Sequence, residues 1–167
     1  SVIILDQVYA QAVAALQAVG GVMLDTGEKA RLQAAMWPQG KLSSVVTAQN
    51  AARIAELADL ADERFGRARF LMVEETGTGP AYPFSGEKLS PVLTVYRARD
   101  FDDACRLVNE IYAFQGAGHS VGIHTGDDAH ILRLGLELPV ARVIVNQAHC
   151  FATGGAFDNG LPFSLSM

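Results

Sequence analysis

From Val92 onward, apolar and polar positions follow two alternating periods. Val92-Leu-Thr-Val-Tyr96 is dense in β-forming residues and predicts a strand. Asp100 stands where a helix N-cap belongs. After it Phe101, Ala104, Cys105, Val108, Ile111 and Tyr112 recur at three- and four-residue spacing, the stripe by which a helix faces a core. Gly116 and Gly118 end that helix. The pattern next predicts a strand over His119–Thr125, a short helix over Asp127–Leu136 and a strand over Ala141–Asn146. The order βαβαβ implies parallel strands with right-handed crossovers, because consecutive parallel strands need a long connection and sheet twist sets its hand.

The first half is softer but starts the same alternation. It predicts a strand at Val2–Leu5, a helix from about Gln7 to Val19 and a short strand at Gly21–Leu24. Helices over Glu28–Met36 and Ala48–Leu60 follow, and then a strand over Arg69–Val73. Pro38-Gln-Gly40 and Thr76-Gly-Thr-Gly-Pro80 are loops by composition. No repeat, low-complexity tract or linker divides the chain. The expectation is one α/β domain with helices on both faces of a mainly parallel sheet, three layers in all.

Composition narrows the partners. The 167 residues suit one domain, and 50% apolar with 19% charged residues is the balance of a globular chain. The apolar runs, such as Val2–Leu5 and Val140–Val145, are strand-length and too short to span a bilayer. Ser1–Leu5 lacks a basic leader and a cleavage region, and reads as a buried strand. A net charge of -5 without a Lys/Arg cluster argues against nucleic acid and anionic membranes as partners, leaving small molecules. Two cysteines make no disulfide framework, which fits a reducing cytoplasm. The four histidines show no metal-ligand spacing.

Few residues are placed for chemistry. Cys105 lies on the apolar stripe and reads as a core residue. Cys150 follows a strand on a loop where α/β proteins place sites, so it is either a nucleophile or a packed loop cysteine. His119 opens a strand after a glycine-rich turn and is either a proton carrier or a structural histidine. His124 and His130 read as surface or structural residues. Glu87 sits in Ser85-Gly-Glu-Lys-Leu-Ser-Pro91, where a carboxylate either binds a ribose hydroxyl or is simply solvated. The Thr76–Pro80 loop is no phosphate cradle, because Pro80 and Tyr82-Pro83 follow it in place of a helix N-terminus.

Three segments carry a resemblance. They are Pro83-Phe-Ser-Gly-Glu-Lys-Leu-Ser-Pro-Val-Leu-Thr-Val-Tyr-Arg97, Gly116-Ala-Gly-His-Ser120 running into Val121-Gly-Ile-His-Thr125, and Ala141-Arg-Val-Ile-Val-Asn146. In this order they resemble the coenzyme A-acylating branch of the aldehyde dehydrogenase superfamily, over the whole chain. Gln147-Ala-His-Cys-Phe-Ala-Thr-Gly-Gly155 with Asn159-Gly-Leu-Pro-Phe163 is similar to its sulfoacetaldehyde-oxidising sub-branch.

The resemblance implies a fold like the catalytic domain of that family, NAD or NADP as cofactor, and an aldehyde and coenzyme A as small-molecule partners. A cysteine thiolate adds to the aldehyde, hydride passes to the cofactor, and coenzyme A takes the acyl group. Glu87 matches the carboxylate that contacts the nicotinamide ribose, and Leu89 the position packed near the nicotinamide. His119 matches a histidine characteristic of acylating members, with a role in proton handling or thiol activation. His149, Phe151 and Thr153 fall in the loop near the aldehyde and could hold a sulfonate. The family's nucleophile would lie a few residues before Ser1 and its Rossmann-like cofactor domain earlier still. Residues 1–167 are therefore expected to be a single catalytic-domain fragment, inactive alone, from a homo-oligomeric enzyme. An α/β binding module and a thiol hydrolase using Cys150 and His119 are the alternatives.

Overall fold

The run Phe70-Leu-Met-Val-Glu74 becomes an inner strand because its side chains alternate between two apolar layers. Leu71 and Val73 join one cluster, Phe70 and Met72 another. In the computed structural model, residues 1–115 and 118–150 are described. They fall in two compact units that divide after Gln115.

The first unit is built on four parallel strands in the order β1 (Val2–Leu5), β4 (Val92–Ala98), β3 (Phe70–Glu74), β2 (Gly21–Met23). Register keeps each face continuous: Val22 pairs with Leu71 and Leu71 with Val92 on one face, and Val2 pairs with Val95 on the other. Helix α1 (Tyr9–Ala18) covers the face carrying Ile4, Met72 and Val95 through Tyr9, Ala12, Val13 and Leu16. The other face packs against Leu32 and Met36 of α2 (Thr26–Met36), Ile54 and Ala55 of α3 (Ala51–Leu57) and Phe65 of α4 (Glu63–Gly66). On the same face Tyr96 and Ala98 meet Ala104, Leu107 and Ile111 of α5 (Phe101–Gln115). Helix, sheet, helix are the three layers expected from the pattern. Cys105 is buried in α5.

Capping explains where the helices deviate from the sequence reading. The helix expected over Ala48–Leu60 shrinks to α3 because Asn50 caps it, its carboxamide oxygen accepting from Arg53 N–H at 2.8 Å. Ala48 on one side and Asp59 on the other take left-handed φ of 58° and 55°. Asp25 and Glu28 form a reciprocal capping box, which starts α2 at Thr26 instead of Glu28. Asp6–Val8 is a 3-10 turn, so the helix expected from Gln7 becomes regular only at Tyr9. Asp100 caps α5 as expected, accepting from Asp103 N–H at 2.8 Å.

The second unit holds β5 (Gly118–Ile123), α6 (Asp128–Glu137) and β6 (Val140–Val145). The two strands are parallel, Val121 opposite Val143, as a βαβ unit requires. The three strands from Val92 onward do not share one ladder, contrary to the reading of a continuous βαβαβ sheet. Both edges of β4 are taken, by β1 and β3, and among the described residues β5 is paired with β6. Gly118 opens β5 at a φ of 111°, a conformation that favours glycine.

Candidate functional site

In the first unit the loop before β4 is an exposed turn over a buried anchor. Pro83–Ser85 forms one 3-10 turn, and the next side chains alternate out, in, out: Glu87 exposed, Lys88 buried, Leu89 exposed. Lys88 Nζ donates to the carbonyls of Phe84 and Gly86, each at 2.8 Å. Loss of hydration pulls its pKa down to about 8, an effect the Glu87 carboxylate partly opposes. Phe84 O also accepts the Thr94 hydroxyl at 2.6 Å.

Leu89 is 54% exposed and has a φ of 46°. A leucine there is strained, and such strain gathers where a ligand is clamped. Its carbonyl accepts from Ala48 N–H at 2.9 Å, tying the loop to the chain before α3.

Glu87 and Leu89, paired by the sequence reading, share a groove of about 460 Å³. Its walls are Trp37, Leu42, Pro80, Pro83, Phe114 and Gln115. Trp37 stands edge-on to buried Phe84, ring centroids 4.9 Å apart at 85°, so that wall is braced from the core. The facing loop is tied down as well: Ser85 Oγ donates to Tyr82 O at 2.7 Å and accepts from Gly79 N–H at 3.0 Å, and Tyr96 OH donates to Gly77 O at 3.0 Å. Flat apolar walls with one exposed carboxylate suit a ring bearing hydroxyls, such as a nucleoside. Sequence reasoning missed Trp37, Phe114, Gln115 and the burial of Lys88. The Lys88 position lay inside the motif that was quoted, and its two flanking solvent-facing neighbours were the available signal.

In the second unit the geometry gathers histidines. His119 is exposed on β5, its Nδ1 2.9 Å from Ser120 Oγ. His149 lies against Gly122: a Cβ there would come within 2.7 Å of its Cε1. Its pKa is lowered, first by desolvation, against which a hydrogen bond to the Ser120 backbone works, and then by the nearby charges of His119 and His124. Two sequence candidates, His119 and His149, thus lie within electrostatic range of each other in this unit, and Gly122 is the residue whose lack of a side chain admits the second. His130 sits 3.7 Å from Asp127 across one helical turn.

Cys150 is exposed. Phe151 and Thr153 lie outside the described residues. Among the described residues no group of His, Cys, Asp or Glu could hold a metal ion, and no helix is long and apolar enough to cross a membrane.

No family model matches the chain. It is 62% identical, over all 167 residues, to the acylating sulfoacetaldehyde dehydrogenase of Cupriavidus necator, covering 34% of that protein. Two crystal structures share its fold. A probable aldehyde dehydrogenase from Listeria monocytogenes matches with a TM-score of 0.88 at 32% identity, over 95% of this chain and 35% of that one. An acetylating aldehyde dehydrogenase from Geobacillus thermoglucosidasius matches with a TM-score of 0.86 at 31% identity, over 94% and 35%. The chain thus spans about a third of the length of the relatives it matches. In sequence over its whole length, and in the fold of its described residues, the chain belongs to the acylating aldehyde dehydrogenase family.

Proposed function

We propose that the protein carrying this chain oxidises sulfoacetaldehyde, with NAD or NADP and coenzyme A, to sulfoacetyl-coenzyme A. The observation that carries the reading is the 62% identity, without loss at either end, to an enzyme of that name. The overall reaction balances as aldehyde, thiol and NAD(P)+ giving thioester, NAD(P)H and a proton. Residues 1–167 act as one catalytic domain in this proposal, and a Rossmann-like cofactor domain and the nucleophilic cysteine belong to the rest of the enzyme.

The cofactor supplies the hydride acceptor. Glu87 presents its carboxylate to ribose hydroxyls from the mouth of the groove, and Leu89 packs beside the nicotinamide, held there by a strained backbone that keeps its side chain in solvent until a ring covers it. His119, fixed at Nδ1 by the Ser120 hydroxyl, leaves Nε2 free to take the proton of the coenzyme A thiol. His149, with Phe151 and Thr153, contributes to the pocket for the sulfonate. An imidazole with a lowered pKa serves there as a neutral N–H donor more than as a cation. A cytoplasmic homo-oligomer is the expected state of the whole enzyme.

The test is a turnover assay of the full-length enzyme with sulfoacetaldehyde, acetaldehyde and propanal, following NAD(P)H and thioester together. Thioester formed in step with NAD(P)H, fastest with sulfoacetaldehyde, is the expected result. Preference for an uncharged aldehyde removes the sulfonate assignment, and NAD(P)H formation that ignores coenzyme A removes the acylating one. Cys150→Ser is expected to keep full dehydrogenase activity, whereas a hydrolytic activity of the chain abolished by Cys150→Ser would favour the thiol hydrolase.

A further inference from the structure

The Gly86–Glu87 peptide unit is gripped at both ends. Its carbonyl accepts from Lys88 Nζ at 2.8 Å, on the buried side. Its N–H donates to Gln115 Oε1 at 2.6 Å, on the exposed side. That donor can only meet an oxygen, which fixes the orientation of the Gln115 carboxamide. Gln115 is the last residue of α5 and lies 28 residues along the chain from Glu87.

Position 86 shows how closely the amide sits. A Cβ there would fall 2.5 Å from Gln115 Cδ and from its Oε1, so only a glycine leaves room for the carboxamide to lie on the turn. Gly86 has a φ of -85°, within reach of any residue. Space for Gln115, not backbone freedom, explains the glycine.

We infer that Gln115 is a positioning residue: by holding the Gly86–Glu87 peptide plane it sets where the Glu87 carboxylate stands in the groove. This rests on the reading that Glu87 binds the cofactor ribose. The orientation of a peptide plane sets the ψ of the residue before it and the φ of the residue after it, so a tilt of this plane together with its turn shifts the Cα–Cβ direction from which the Glu87 carboxylate projects. A single hydrogen bond, from Lys88, still lets the rigid plane pivot about it. Gln115 closes that freedom, and because it also lines the groove it does so at the wall the ligand meets.

The experiment compares the full-length wild type with Gln115→Leu, Gln115→Glu and Glu87→Gln. Gln115→Leu keeps the size and loses the acceptor, whereas Gln115→Glu keeps an acceptor oxygen. With one hydrogen bond of ordinary strength at stake, Gln115→Leu is expected to raise the KM for the cofactor about three- to tenfold, with kcat within about twofold and the melting temperature unchanged. The Glu87 amide is expected to exchange with solvent faster in Gln115→Leu, and Gln115→Glu is expected to restore both readouts. An unchanged cofactor KM in Gln115→Leu beside a raised one in Glu87→Gln overturns the role of Gln115 and leaves that of Glu87 standing. An unchanged KM in Glu87→Gln overturns the ribose reading and the positioning role with it. Equal loss of cofactor, aldehyde and coenzyme A kinetics together with a lower melting temperature, not rescued by glutamate, marks a merely structural residue.

Discussion

Replacing Lys88 by methionine separates the cost of burying its charge from the value of its hydrogen bonds. A lysine held at about 8 against an ordinary 10.5 costs the fold about 3 kcal/mol at neutral pH, at roughly 1.4 kcal/mol per pH unit. Lys88→Met abolishes that penalty. It also removes two donors. The Phe84 carbonyl keeps the Thr94 hydroxyl, but the Gly86 carbonyl loses its partner, at a cost of about 1–3 kcal/mol. The two effects nearly cancel at pH 7, so stability there is a poor test. The pH dependence is a good one. The folded pKa lies below the unfolded one, so between them the unfolded chain binds the extra proton and stability rises with pH. The penalty is complete below about 8 and gone above about 10.5. Urea unfolding from about pH 7 to about pH 10 should therefore stabilise the wild type relative to Lys88→Met by about 2 kcal/mol. Titrating groups that do not sense Lys88 act alike in both proteins and drop out of the difference. Parallel curves would refute the claim that Lys88 is buried with its charge uncompensated.

Two further outcomes follow from close approaches and strain. Gly122→Ala puts a methyl 2.7 Å from His149 Cε1, so the imidazole must shift from its place over Gly122. NMR titration should then show the His149 pKa rising toward its ordinary value, and an unchanged titration sinks the contact. At Leu89, whose φ is 46°, glycine should be at least as stable as valine by about 1 kcal/mol despite its smaller side chain, since a β-branched residue resists the left-handed region most. Thermal unfolding in which Leu89→Val matches or exceeds Leu89→Gly removes the strain argument.

The strands were legible because each was short, β-branched and bounded by turn residues. Val2–Leu5 is identical in pattern and structure, and β3, β4 and β6 differ only at their ends. Helix ends were less legible. Whether Ala48-Gln-Asn50 extends a helix or precedes it depends on a carboxamide reaching one backbone N–H, which periodicity does not register. The division of strands between two ladders was hidden for a different reason. Alternation says that neighbours are parallel, but not that β1, far earlier in the chain, is the strand paired with β4. The site divides in the same way. Glu87, Leu89 and His119 stood out through a motif, whereas Trp37 and Gln115 reach the groove through contacts across some thirty to fifty residues, with no local signature.

That contrast explains the order of residues in Gly86-Glu87-Lys88-Leu89. An extended segment sends alternate side chains to opposite sides, so a loop that must show a carboxylate and an apolar side chain to one groove has to bury what stands between them. An apolar residue at that place would leave the inward carbonyl of Phe84 with the Thr94 hydroxyl alone and that of Gly86 short of its donor, and a buried carbonyl without a partner destabilises the turn. Lysine meets both demands: its stem fills the apolar space and its ammonium caps the two oxygens. Its depressed pKa follows from that service. Glu87, one residue away, raises it, so the carboxylate offered to a ligand also eases the burial of its neighbour's charge.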